Sequence, residues 1–199
     1  MPPATTLIGG KALLQTPIAS NRCPSDTGTE LNSLRSNYAT SNYGMSDQIG
    51  YLNTKVRERD ITDGMSNTFL VGERELKTQA GDQQVGFNAF GLSDGTRSSL
   101  VFRAQHPIQT RYNSAGGDGP CTRFAVTSRH VGGAQFAMCD GSVKFVSENI
   151  ETNPNITLAC DPVPTSGSSL WGSNNAFQAG YLYQNLLFIN DNNVISGFE

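Results

Sequence analysis

The side chains able to do chemistry are few and scattered. The chain has two histidines, His106 and His130, lying 24 positions apart, with His106 immediately before Pro107. An imidazole can ligate a metal or move a proton near neutral pH. Without a second histidine nearby, His130 reads first as a structural residue bonding a loop carbonyl. Metal binding and catalysis stand behind that reading. Glu73 beside Arg74 offers half of an acid–base pair, but a salt bridge or a carboxylate tied to backbone amides explains it better. Asp60, Asp63 and Asp140 supply oxygens that Ca²⁺ could use, although their spacing is not that of an EF-hand loop. Asp63 and Asp140 each sit in an Asp-Gly turn that already accounts for them. No cofactor is assigned on these residues, and Ca²⁺ is the candidate kept open. Trp171, with Tyr181 and Tyr183, could stack a sugar, although such residues more often pack a core or an interface. No Gly-x-Ser-x-Gly elbow, P-loop or Gly-x-Gly-x-x-Gly fingerprint occurs.

Four cysteines, Cys23, Cys121, Cys139 and Cys160, form no Cys-x-x-Cys pair and no zinc-knuckle spacing. Their even number in a loop-rich chain allows two disulfides in three connectivities. Four free thiols are the alternative.

The elements that must position these residues are short. Hydrophobic residues make up 37% and charged residues 16%, the charged share well under the ~25% of average domains. With 21 glycines and 9 prolines the chain favours turns over long helices. Residues 1–20 are poorly patterned, and residues 21–199 are expected to form a single globular domain. Cys23, Pro24, Ser25 and Asp26 spell a turn, and the region 23–59 reads as ordered loop with Tyr38 and Tyr43 folding back over the core. Asp63 and Gly64 make a tight turn that Ser66 and Asn67 prolong, and Thr68 to Val71 form a short strand ending near Glu73. Short apolar pieces follow at 85–90 and 100–102, and 113–120 and 161–175 are loops by composition.

Asp140 and Gly141 lie between two alternating runs, 135–139 and 142–147. A two-residue type I′ loop predicts a hairpin pairing Met138 with Val143 and Phe136 with Phe145, both pairs facing inward. A helix over about 180–188, a turn at 190–193 and a last strand at Val194 and Ile195 close the chain.

The net charge of −3 and the lack of a basic run exclude the usual nucleic-acid footprint. No apolar run approaches the ~18–20 residues of a membrane span, and the first ten residues do not read as a secretory signal.

Several of these pieces together resemble one family, the pilin-like, pseudopilin-type bacterial proteins of unknown function with a His-x9-Asp-Gly motif. His130, nine intervening residues, then Asp140 and Gly141 match that motif. Cys23 to Asp26 resembles the upstream Cys-Pro-Ser-Asp element, and Asp60 to Thr68 with Val71 to Glu73 resembles the central one. The tail from Tyr183 is similar as well, so the resemblance runs from about 21 to 199. It implies an α+β pilin-like head with an antiparallel sheet, short helices and long loops. It also implies a structural or assembly component of a bacterial surface or secretion apparatus, not an enzyme. Its partners would be other pilin-like or secretion-apparatus subunits, or further copies of itself. Members usually carry a prepilin-type leader and a long hydrophobic helix, which have no counterpart in these residues. Membrane contact is expected only through such a helix. Export, which the resemblance also implies, places the domain outside the cytoplasm and favours disulfides. The alternatives are an extracellular solute- or glycan-binding module through Trp171, Tyr181 and Tyr183 and, more remotely, a metal-dependent hydrolase using His130 with acidic partners.

Overall fold

The computed structural model describes residues 7, 8, 10–32, 37–50, 55–76, 86, 87, 101–104, 106–110, 124–153, 180–191, 193 and 195. Its strands are β1 (Leu7–Ile8), β2 (Lys11–Ala12), β3 (Leu31–Asn32), β4 (Tyr38–Ser41), β5 (Tyr43–Ser46), β6 (Phe69–Glu73), β7 (Gly86–Phe87), β8 (Val101–Phe102), β9 (Gly133–Met138) and β10 (Val143–Ser147). Two four-residue helices, α1 (Asp47–Gly50) and α2 (Leu182–Asn185), and several 3₁₀ turns complete the described elements. The architecture is α+β with little helix. No helix among the described residues is long and apolar enough to cross a membrane.

The main sheet has five strands in the order β10-β9-β6-β5-β8, antiparallel except for the β5–β8 pair. A second sheet has the order β3-β4-β7, and β1 with β2 makes a two-stranded ribbon. Alternation on β9 explains the core: Ala134, Phe136 and Met138 are fully buried while Gln135 and Ala137 are only partly so. Phe136 stacks on Phe69 of β6 with ring centroids 4.1 Å apart. Phe102 and Tyr183 meet Phe136 edge-on at 5.8 and 6.4 Å, arrangements that the ring quadrupoles favour. The C-terminal segment covers this cluster with Tyr183, Leu186 and Leu187, and the Phe69 N–H donates to the Leu186 carbonyl at 2.7 Å.

The hairpin forms, but not in the predicted register. Val143 pairs with Ala137, Lys144 with Phe136, Phe145 with Gln135 and Val146 with Ala134. The cause is the loop. Gly141 N–H donates to the Met138 carbonyl at 3.0 Å and Met138 N–H to the Ser142 carbonyl at 2.8 Å. Gly141 has φ +88°, whereas Asp140 is not among the positive-φ residues. This is a type I turn followed by a left-handed glycine, a three-residue loop in place of the two-residue type I′ form. Asp140 Oδ1 accepts from both N–H and Oγ of Ser142, at 2.9 and 2.7 Å, which fixes the turn. One extra loop residue turns every side chain of β10 over. Val146 is therefore buried, whereas Val143 and Phe145 are 67% and 49% exposed, and the expected Phe136–Phe145 pair does not exist.

Other expectations also change. The region 23–59 holds β3, β4, β5 and α1 in place of ordered loop, with Tyr38 buried and Tyr43 half-buried in strands. The C-terminal helix is confined to Leu182–Asn185. Ile195 packs against the core without belonging to a strand, and Val194 lies outside the described residues. So do the loops at 113–120 and 161–175, and all of 85–90 except Gly86 and Phe87.

Candidate functional site

The Cys23 turn is closed by the Asp26 N–H, which donates to the Cys23 carbonyl at 3.0 Å, with Pro24 and Ser25 exposed at its apex. Asp26 is buried, and three donors hold its carboxylate. Oδ1 accepts from Gly28 N–H at 2.8 Å, while Oδ2 accepts from Asn42 Nδ2 at 2.6 Å and from Leu76 N–H at 2.8 Å. Asn42 is the single residue between β4 and β5. Its Oδ1 accepts from Cys23 N–H at 2.9 Å, and its Nδ2 also donates to the Arg74 carbonyl at 2.8 Å. The first motif segment is thereby fastened to the end of β6.

Glu73 ends β6 and is 5% exposed. Its Oε2 accepts from Ser128 Oγ at 2.9 Å and from Gln135 N–H at 2.8 Å. Its Oε1 lies 3.4 Å from His130 Nε2. The same Nε2 is 3.8 Å from Cys23 Sγ. The loop carrying His130 is held by Gln109, whose Nε2 donates to the carbonyls of His130 and Gly133, both at 3.1 Å. Gln109 Oε1 accepts from Ser128 N–H at 3.0 Å. Gln109 adopts φ +70°, an uncommon conformation for a non-glycine residue, kept here because its side chain satisfies three backbone groups at once.

Cys23, Glu73 and His130 thus converge, each offering one ligand atom within 4.8 Å of the others, and no other such group of three occurs among the described residues. Burial first, then the proximity of Cys23 and Glu73, raises the Tyr43 hydroxyl above its ordinary value. Arg129, next in sequence to His130, turns its guanidinium to Glu75 at 3.0 Å. The cavity bounded by Cys23, Asp26, Asn42, Glu73, Arg74, Glu75, Thr127, Ser128 and Arg129 holds about 10 Å³, at the lower limit for one water molecule.

The remaining sequence candidates lie elsewhere. Asp60 Oδ2 accepts from Arg57 N–H at 2.8 Å, Asp63 Oδ2 from Asp191 N–H at 2.8 Å, and Asp140 from Ser142. The three carboxylates serve separate backbone amides and do not form one ligand set for Ca²⁺. Gly64, at φ +95°, leads into the 3₁₀ turn Met65–Asn67 that contains the exposed Ser66, and Asn67 Nδ2 reaches the Ile195 carbonyl at 3.3 Å. Tyr183 is fully buried in the aromatic cluster, so it cannot stack a sugar. Tyr181 precedes α2 and is half-buried, and Trp171 lies outside the described residues. Cys23 and Cys139 are free thiols, against the expected disulfides for these two, while Cys121 and Cys160 lie outside the described residues. Burial, then the Asp140 charge, pushes the Cys139 thiol up to about 11, away from the reactive thiolate.

The expected bond from His130 to a loop carbonyl is replaced by bonds to side chains, its own carbonyl accepting from Gln109 Nε2 and its N–H donating to Ser128 Oγ; its ring faces Glu73 and Cys23, and of these two only an acidic partner had been considered, in the remote hydrolase alternative. Asn42, Gln109 and Ser128 were also missed. Ser128, two residues before His130, carries a local signal, since its Oγ accepts from His130 N–H at 3.1 Å. For Gln109 no sequence signal exists.

Residues 6–153, more than half of the chain, match the model of a family described as Protein of unknown function (DUF1559). The chain belongs to this family. The matched stretch contains Cys23, Glu73 and His130 together, and it ends before the C-terminal segment that the motif resemblance had included. No curated protein and no solved structure matches the chain.

Proposed function

We propose that this family member is a non-catalytic, extracytoplasmic head domain of a pilin-like assembly, joined to other pilin-like subunits or to further copies of itself. The observation that carries this reading is the closed state of the motif residues. Asp26, Asn42 and Glu73 are buried and hydrogen-bonded, and the space among them is about 10 Å³, whereas small-molecule sites measure ~300–1,000 Å³. Such a junction holds loops onto a sheet and leaves no room for a substrate. A larger depression of about 550 Å³ is bordered by Arg57, Glu58, Arg59, Ile61 and Met65, and among the described residues that border it none is an aromatic of the kind a glycan subsite needs.

Among the described residues β10 is the outer strand of the main sheet, and Val143 and Phe145 project from it into solvent. Val131, in the turn that enters β9, is 97% exposed. An outer strand with apolar side chains is suited to pairing with another chain. The test is a photo-crosslinking amino acid placed at position 145 in producing cells, with the captured chain identified by mass spectrometry. A pilin-like subunit or a second copy is the expected product. Crosslinks confined to cytoplasmic proteins would overturn the proposal.

A further inference from the structure

The geometry points to a single transition-metal site, of the kind that suits Zn²⁺, formed by Cys23 Sγ, Glu73 Oε1 and His130 Nε2. It stands independently of the assembly role. The argument begins with the imidazole. In a nucleophilic triad the two ring nitrogens face different partners, one the nucleophile and the other an acid that orients the ring. Here a single nitrogen faces both: Nε2 is 3.8 Å from the sulfur and 3.4 Å from the carboxylate oxygen. Three donors aimed at one point describe a coordination centre.

The distances fit. Tetrahedral Zn²⁺ binds sulfur at ~2.3 Å and nitrogen or oxygen at ~2.0–2.2 Å, which sets neighbouring ligand atoms ~3.3–3.6 Å apart. The two separations from His130 Nε2, 3.8 Å to the sulfur and 3.4 Å to the carboxylate oxygen, lie within a few tenths of an ångström of these values, and Cys23 Sγ and Glu73 Oε1 lie within 4.8 Å of each other. The chemistry fits as well. Thiolate, carboxylate and neutral imidazole sum to −2, which a divalent ion cancels, and a thiolate–imidazole set favours Zn²⁺ over Ca²⁺ or Mg²⁺.

The surroundings supply the outer support that metal ligands need. Ser128 and Gln135 hold Glu73 Oε2 and so turn Oε1 toward His130. Gln109 fixes the backbone on both sides of the His130 turn. Asn42 fixes the Cys23 backbone. Cys23 and Glu73 are buried, while the His130 side chain is 35% exposed, so the trio meets solvent on the His130 side. The ligands lie 50 and 57 residues apart along the chain, so an ion would staple three separate segments.

The experiment uses the reduced, chelator-stripped full chain, titrated with Co²⁺ and then Zn²⁺. One Co²⁺ per chain is expected, with a thiolate-to-cobalt charge-transfer band that Zn²⁺ displaces, and Zn²⁺ should raise Tm. Cys23→Ser and His130→Gln should both abolish the band, whereas Cys139→Ser should keep it. Ser128→Ala, which releases Glu73, should weaken affinity about 10–100-fold. His130→Gln alters a partly exposed side chain, so it reports on the site even where Cys23→Ser fails to fold. A folded wild-type chain without the band, or a band that survives in Cys23→Ser, would overturn the assignment.

Discussion

At the scale of single residues, Asn42 does more than any residue that the sequence singled out. One amide accepts from Cys23 N–H and donates to Asp26 and to the Arg74 carbonyl, all in a buried setting. Its removal deprives the Cys23 N–H and the Arg74 carbonyl of a partner and the Asp26 carboxylate of one of its three donors, and each buried, unsatisfied group costs on the order of 1–3 kcal/mol. Asn42→Ala should therefore destabilise by about 2–4 kcal/mol, read as a lower urea midpoint at an unchanged m-value. A loss below about 0.5 kcal/mol would show that water replaces the amide. Asn42 escaped notice because an asparagine between two strands reads as turn chemistry. Its partners come from positions 23, 26 and 74, and no local pattern announces them.

At the scale of elements, the β9–β10 hairpin decides which face of the closing ribbon is apolar. In the observed register Phe136 is wholly buried and Phe145 is half exposed. Phe136→Ala should cost about 3–5 kcal/mol, and Phe145→Ala under about 1 kcal/mol. The type I′ register would make the two losses similar, so comparing the two melting temperatures distinguishes the alternatives. Gly141 sits at φ +88°, a conformation that a β-branched residue resists. Gly141→Val should cost about 1–3 kcal/mol, while Gly141→Asn should be milder because asparagine tolerates the left-handed region. A further constraint lies on β9, where a Cβ on Gly133 would sit 2.1 Å from the Val146 carbonyl oxygen. Only glycine lets the two strands meet there.

At the scale of the whole molecule, the C-terminal segment closes the sheet. Gln184 donates to the Ala104 carbonyl at 2.7 Å and accepts from Asn153 N–H at 3.1 Å, so α2 ties distant parts of the chain together. Farther on, Asp191 N–H donates to Asp63, and the two carboxylates are neighbours. Burial, together with the Asp63 charge, raises the Asp191 carboxyl above its ordinary value despite the stabilising bonds from Asn193. A carboxyl raised in the folded state binds its proton more tightly there than in the unfolded chain. Its contribution is therefore favourable at acid pH and is lost as pH rises through the folded-state value. Asp191→Asn should raise Tm at pH 7 and give no gain near pH 3, where the wild-type carboxyl is already protonated. An equal change at both pH values would remove the charge explanation.

What the sequence by itself determined is local. The turn at Cys23 to Asp26, the left-handed Gly64 and Gly141, the strand before Glu73, and the existence of a hairpin around Asp140 all follow from backbone preferences within a few residues. Composition likewise pointed to short elements with little helix, and the family resemblance to an α+β chain. The register of the hairpin was not legible, because it depends on whether two or three residues form the loop. The Asp140–Ser142 bond and the burial of Val146 decide that. The strands between 31 and 46 were also hidden, since each is only two to four residues long and carries no clear alternation, and β4 and β5 find partners far along the chain: Glu73 faces Tyr43, and Phe87 faces Thr40. Cys23, Glu73 and His130 were each visible as residues, but their meeting was not. Long-range pairing alone brings the first turn, the end of β6 and the loop before β9 to one point. Backbone preference acts over a few residues, whereas a site assembled across 107 positions exists only once the sheet has formed.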